Sequence, residues 1–108
     1  MSTAGAARET IAALGAGRMG RGIATAFAYA GHEVWLVDAK ARAAGQADAL
    51  ARDALAEIDA SLAAMARWGA FDDALRPAIL GRVRFAAREA APAALSHADV
   101  VFEGVPEV

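Results

Sequence analysis

The sequence contains no cysteine. That excludes a disulfide framework and a thiolate metal centre, and no metal site is expected. It also lacks any run of about 18 apolar residues, so nothing in it is expected to span a membrane. The opening MSTAGAARE has neither the basic n-region nor the apolar segment of a secretion signal. An excess of one charge is missing too. Eleven Lys and Arg against thirteen Asp and Glu leave a net charge of -2, with a pI near 5.6. No basic footprint points to DNA or RNA. The expectation is a cytoplasmic location with neither a nucleic-acid nor a membrane partner.

What is abundant is alanine, which carries much of the 57% hydrophobic content and favours helix at little entropic cost. The 108 residues suit one small domain. Residues 1–9 read as a flexible N-terminus and 10–108 as the domain. Thr10 to Leu14 is a short apolar run ending at glycine, as a buried parallel strand reads. From Arg18 the period becomes helical, with Met19, Ile23, Ala26, Phe27 and Ala30 on one stripe and Gly31 at the helix end. Val34 to Val37 is a second strand, closed by Asp38. Residues 40–68 predict one long helix, or two broken near Gly45, with Leu55, Ile58, Leu62 and Met65 as its apolar face and Trp68-Gly69 as its end. Asp72 or Asp73 suits the cap of a short helix reaching Leu80. Val83 to Ala86, a helical turn over Pro92 to Ser96, and a strand over Asp99 to Phe102 complete the pass. Strands alternating with helices predict an α/β fold with a parallel sheet and helices on its faces.

The chemistry lies in Gly15-Ala16-Gly17-Arg18-Met19-Gly20. This G-x-G-x-x-G follows a strand and opens a helix, and the next strand ends in an acid. Such a context is that of a Rossmann-type dinucleotide site. Gly15 allows the tight turn, Gly17 lets a pyrophosphate approach the backbone, and Gly20 lets the helix pack closely on the first strand. The helix start supplies unpaired N–H groups and the positive end of a dipole. Asp38 stands 23 positions after Gly15, near the spacing of a carboxylate that accepts from both adenosine ribose hydroxyls. Its charge would repel a 2′-phosphate, which favours NAD over NADP. Arg42 could meet such a phosphate, but beside Asp38 it reads as a solvated helical arginine. Arg18 and Arg21 flank the loop, where either could help hold phosphate, though the simpler reading of both is as surface arginines. Ala16 and Arg18 count with Gly15, Gly17, Met19 and Gly20 among the candidate cofactor-binding residues. FAD, which shares this loop type, usually needs more protein around the flavin.

Taken together, Gly15 to Ala24, Ala30-Gly31-His32-Glu33-Val34, Asp38, and Asp99 to Glu107 in the order DVVFEGVPE resemble the NAD-binding domain of the L-3-hydroxyacyl-CoA dehydrogenases. The 3-hydroxybutyryl-CoA dehydrogenases are the nearest flavour. The resemblance implies that Met19 offers a backbone contact to NAD, and that Asp38 holds the adenosine ribose. It also implies that Val105, Pro106 and Glu107 lie along the nicotinamide ribose, with Glu107 accepting from a hydroxyl. In the family the second helix brings a serine and a lysine to the acyl-CoA. Ser61 fits the serine. At the lysine position this chain has Trp68 beside Arg67, and the stretch from Asp38 to Ser61 is longer than usual.

The family oxidises L-3-hydroxyacyl-CoA to 3-oxoacyl-CoA with NAD. Its histidine base, the glutamate that orients it, and the serine and asparagine near the reacting oxygen all follow the segment that ends here. His32 and His97 precede strands and read as structural. No catalytic residue is therefore expected within 1–108. The resemblance implies an incomplete sheet, cut after its fourth strand, and a separate helical domain that binds acyl-CoA and forms a homodimer. On this reading the chain is part of a longer enzyme and inactive alone. The alternatives are a free-standing NAD-binding module, or the first part of a sister enzyme such as an L-gulonate or carnitine 3-dehydrogenase.

Overall fold

The computed structural model describes residues 8–104. Four short strands, β1 (Ile11–Leu14), β2 (Val34–Val37), β3 (Val83–Ala86) and β4 (Val100–Glu103), form one sheet in the order β3-β2-β1-β4. All three pairings are parallel, with Ile11 beside both Val34 and Val100. The helices are α1 (Arg18–Ala30), α2 (Gln46–Arg67), α3 (Arg76–Leu80) and α4 (Ala91–Ser96). Parallel neighbours need crossovers, and these helices supply them.

The pleat divides the core in two. Ile11, Ala13, Val34, Leu36 and Val83 point to one face, where Ala54, Ile58 and Leu62 of α2 and Ile79 of α3 close over them. Val37 and Ala86 belong to the other face, beneath Ala94 of α4. Both faces of the inner strands are thus covered. That is why β1 and β2 read as continuous apolar runs rather than alternating ones.

Helix α1 differs from the expected stripe. Its buried line is Gly20, Ala24 and Ala28, while Ile23 and Phe27 are only partly buried and Met19, Ala26 and Ala30 are exposed. Close helix–sheet contact selects the smallest residues at i, i+4 spacing, and the larger apolar side chains flank the seam. Phe27 reaches Phe102 of β4, ring centroids 5.2 Å apart. Val100, Val101 and Phe102 otherwise stand exposed.

The second helix also begins later than expected. Residues 40–45 are not helical, and Gly45, with φ of 82°, precedes Gln46. Ala39 to Gly45 is therefore a loop across the ends of β2 and α2. At the other end Trp68 caps α2 as expected. The Asp72 carboxylate accepts from the Ala74 N–H to cap a short 3-10 turn, which runs into α3. The expected flexible segment 1–9 lies outside the described residues except for Arg8 and Glu9, which are in loop.

Candidate functional site

The strand order reverses at β1, which pairs with β2 on one side and β4 on the other. Crevices at the carboxyl ends of strands bind ligands at such a switch point. Here the crevice is formed by the loop after β1. Gly15 turns the chain with φ of 109°, and its N–H donates to Val37 O at 2.7 Å, fixing the loop to the end of β2. Gly17 then caps α1 from extended backbone. A Cβ on Gly17 would meet nothing within 4 Å, whereas one on Gly20 would lie 1.8 Å from Gly15 O. The two glycines thus do different work. Gly20 closes the turn against the helix, and Gly17 leaves the approach from outside open. A Cβ added to Gly104, just beyond β4, would lie 3.4 Å from the Gly20 N and 3.6 Å from the Met19 side chain.

The first turn of α1 carries no acidic residue and no side-chain cap. Its N–H groups and dipole are therefore free to face an anion. Ala16 is buried within the loop, while Gly17, Arg18 and Met19 are exposed around it. Met19 is 64% exposed. Arg21 is not the surface residue expected of it. Its Nε donates to Ala16 O at 2.9 Å and its Nη1 pairs with Glu57 on α2. It braces the loop and links it to the second helix.

Asp38 lies directly after β2, its N–H donating to Ala86 O at 2.8 Å. With Gly15, Ala16, Gly17, Arg21, Ala39, Lys40, Arg42 and Leu50 it lines one cavity of about 360 Å³. Gly15, Ala16 and Gly17 of the loop thus share one cavity with the Asp38 carboxylate, whereas Arg18, Met19 and Gly20 do not line it. Arg42 corrects its sequence reading as a solvated helical arginine. It lies in the loop before α2, where Nε donates to Asp38 Oδ2 at 2.8 Å and Nη2 to Oδ1 at 3.1 Å. The Lys40 N–H adds a third bond to Oδ1, at 3.1 Å. Burial alone would push the Asp38 carboxyl up. The Arg42 hydrogen bond, the Lys40 N–H and the two positive charges outweigh burial and hold it below its ordinary value.

That shift has a consequence for stability. A carboxylate depressed on folding stabilises fully above its unfolded pKa of about 3.9, and the gain is lost as pH falls through the lower folded value. The parent is expected to melt higher than Asp38→Asn near neutral pH, and the gap is expected to close below about pH 3.9. Melting curves followed by circular dichroism across pH 2–7 check this. A gap that widens on acidification would contradict it.

Other expected residues fall elsewhere. Ser61 is exposed on α2 and lines a second, smaller crevice with Arg18, Arg21, Gly22, Thr25, Glu57 and Ile58. Trp68 is 89% exposed at the end of α2. His32 and His97 precede β2 and β4, at the amino ends of the strands, opposite the glycine loop. Their Nδ1 atoms lie 2.7 Å from the Glu9 and Ala93 carbonyl oxygens. Val105, Pro106 and Glu107 lie outside the described residues. No cluster of three or more His, Cys, Asp or Glu suited to a metal exists among the described residues. None of their helices is long and apolar enough to cross a membrane.

The sequence pattern of the 3-hydroxyacyl-CoA dehydrogenase NAD-binding domain matches residues 10–108. The chain belongs to that family. Among solved structures, this NAD-binding domain is similar to the (S)-3-hydroxybutyryl-CoA dehydrogenase of Ralstonia eutropha, at 28% identity and a TM-score of 0.74 over 93% of the chain. FadB2 of M. tuberculosis gives 29% identity and 0.74 over 94%. The 3-hydroxybutyryl-CoA dehydrogenase of Escherichia coli K12 gives 30% and 0.72 over 93%. The NAD-binding domain spans 32%, 32% and 19% of these three chains. No curated protein matches it significantly.

Proposed function

We propose that the Gly15–Gly20 loop and the first turn of α1 hold the pyrophosphate of NAD, and that Asp38 receives the adenosine ribose. The observation that carries this is one cavity lined by both the glycine loop and the Asp38 carboxylate, beside a helix start that has no anion of its own. The fit is specific to an anion approaching backbone. Space is open over Gly17, and N–H groups there bind phosphate oxygens without a side chain between. Met19 contributes backbone. Val105, Pro106 and Glu107 are proposed for the nicotinamide ribose on the resemblance described above, with Glu107 as hydroxyl acceptor.

The protein to which this domain belongs is proposed to oxidise an L-3-hydroxyacyl-CoA to the 3-oxoacyl-CoA. Two of the three solved structures described above are named for the four-carbon 3-hydroxybutyryl-CoA, which supports a short acyl chain. Bound NAD would supply the hydride acceptor. The residues present here bind and orient it, and Ser61, exposed beside Arg18, is the proposed acyl-CoA contact. A homodimer and a cytoplasmic setting complete the reading.

Asp38→Ala tests the ribose assignment. NADH titrated by fluorescence is expected to bind the variant more weakly by roughly 1–3 kcal/mol, the range for leaving polar partners unmatched. Unchanged affinity would reject Asp38 as the ribose ligand.

A further inference from the structure

We propose that Arg42 is a latch over the ribose carboxylate. The adenosine ribose must displace it to bind, and the displaced guanidinium then moderates the rejection of a 2′-phosphate. This rests on the ribose role proposed for Asp38. Although Asp38 borders the cavity, its side chain is only 2% exposed. Both of its oxygens already accept from the Arg42 fork. A vicinal diol would donate one hydroxyl to each oxygen, from the same open side and with the same two-point geometry. Fork and diol are therefore mutually exclusive on this carboxylate. The Lys40 N–H stays on Oδ1 in either case and keeps the carboxylate aimed as its partners exchange.

The latch can open because of where it is mounted. Arg42 sits in the non-helical loop ahead of Gln46, and its side chain is 32% exposed. Only the guanidinium end of the pair is open to water, which can solvate it once displaced, so displacement weakens NAD binding without preventing it. The loop keeps the guanidinium four residues from Asp38, beside the ribose edge. Opposite a 2′-hydroxyl it gains little. Opposite a 2′-phosphate it can make a bidentate, charge-assisted pair, which offsets the repulsion from Asp38. Selectivity for NAD is accordingly narrower than a bare carboxylate would impose.

The test is titration of NADH and NADPH into the parent, Arg42→Ala, Arg42→Lys and Asp38→Ala, each checked for fold by circular dichroism. Arg42→Ala is expected to bind NADH about two- to fivefold more tightly, the scale of an ion pair with one partner open to water. The ratio of NADPH to NADH dissociation constants is expected to rise about tenfold or more, the worth of a hydrogen bond to a charged group. Arg42→Lys, which keeps the charge and loses the fork, should give tighter NADH binding and an intermediate ratio. NADH affinity that is unchanged or weaker in both Arg42 variants overturns the latch, and an unchanged ratio overturns the selectivity role. Asp38→Ala separates the two readings. If it binds NADH like the parent, the ribose assignment itself has failed. If it binds weakly while the Arg42 variants are silent, only the latch has.

Discussion

Gly17→Val is expected to abolish NADH binding while the fold survives. The backbone at Gly17 has φ of -86° and ψ of -163°, an extended conformation open to any residue. A Cβ there meets no protein atom within 4 Å, so nothing in the domain resists the side chain. The branched valine instead occupies the approach to the first turn of α1, where the pyrophosphate is proposed to sit. Each hydrogen bond to a charged group contributes about 1.5–3 kcal/mol. Forcing the phosphates off two N–H groups then weakens binding by roughly 3–6 kcal/mol, or at least about a hundredfold. Circular dichroism should match the parent while the NADH fluorescence titration goes flat. Binding within tenfold of the parent would show that the loop does not carry the phosphate.

This prediction could be framed from sequence, because the glycine spacing names the backbone positions where side chains are excluded. Much of the sheet was legible in the same way. Val34 to Val37 and Val83 to Ala86 are strands over the expected residues, the first buried on both faces and the second an edge strand with Arg84 exposed. The seam of α1 was harder to read. Periodicity in large residues picks out Ile23 and Phe27, but the contact itself belongs to Gly20, Ala24 and Ala28, and alanine marks a buried face no better than an exposed one.

The part of the site that sequence missed is Arg42. Its spacing from Asp38 allows an i, i+4 pair on any helix. The alanine-rich run from 40 to 68 read as one long helix, or two broken near Gly45, and on either reading the arginine stood on a helix facing solvent. Gly45 in a left-handed conformation starts α2 late, and the freed loop folds Arg42 back over the carboxylate. Arg21 was missed for a similar reason. Its partners, Ala16 O and Glu57, lie on a loop and a second helix, and only tertiary structure brings them together.

Gly20→Ala should have the opposite outcome to Gly17→Val: the fold fails first, and cofactor binding is lost with it. A Cβ on Gly20 falls 1.8 Å from Gly15 O and 3.0 Å from Gly15 C, with Leu36 Cδ1 at 3.3 Å. The clash is with backbone, so no rotamer change relieves it. Gly15 has little room to retreat, since its N–H is bonded to Val37 O at 2.7 Å and its positive φ makes the turn. The helix must lift from β1, opening the seam at Ala24 and Ala28, both fully buried. Overpacking alone costs about 1–3 kcal/mol, and occasionally more. With the turn and the seam both disturbed, a loss of about 4 kcal/mol or more is expected, against about 5–15 kcal/mol in total for a typical domain. At roughly 4–8 °C per kcal/mol for a domain of this size, the melting temperature should fall by at least about 15 °C. Thermal melts of both variants beside the parent decide the matter. A Gly20→Ala protein that melts within a few degrees of the parent would show that the loop and α1 do not approach as closely as this geometry requires.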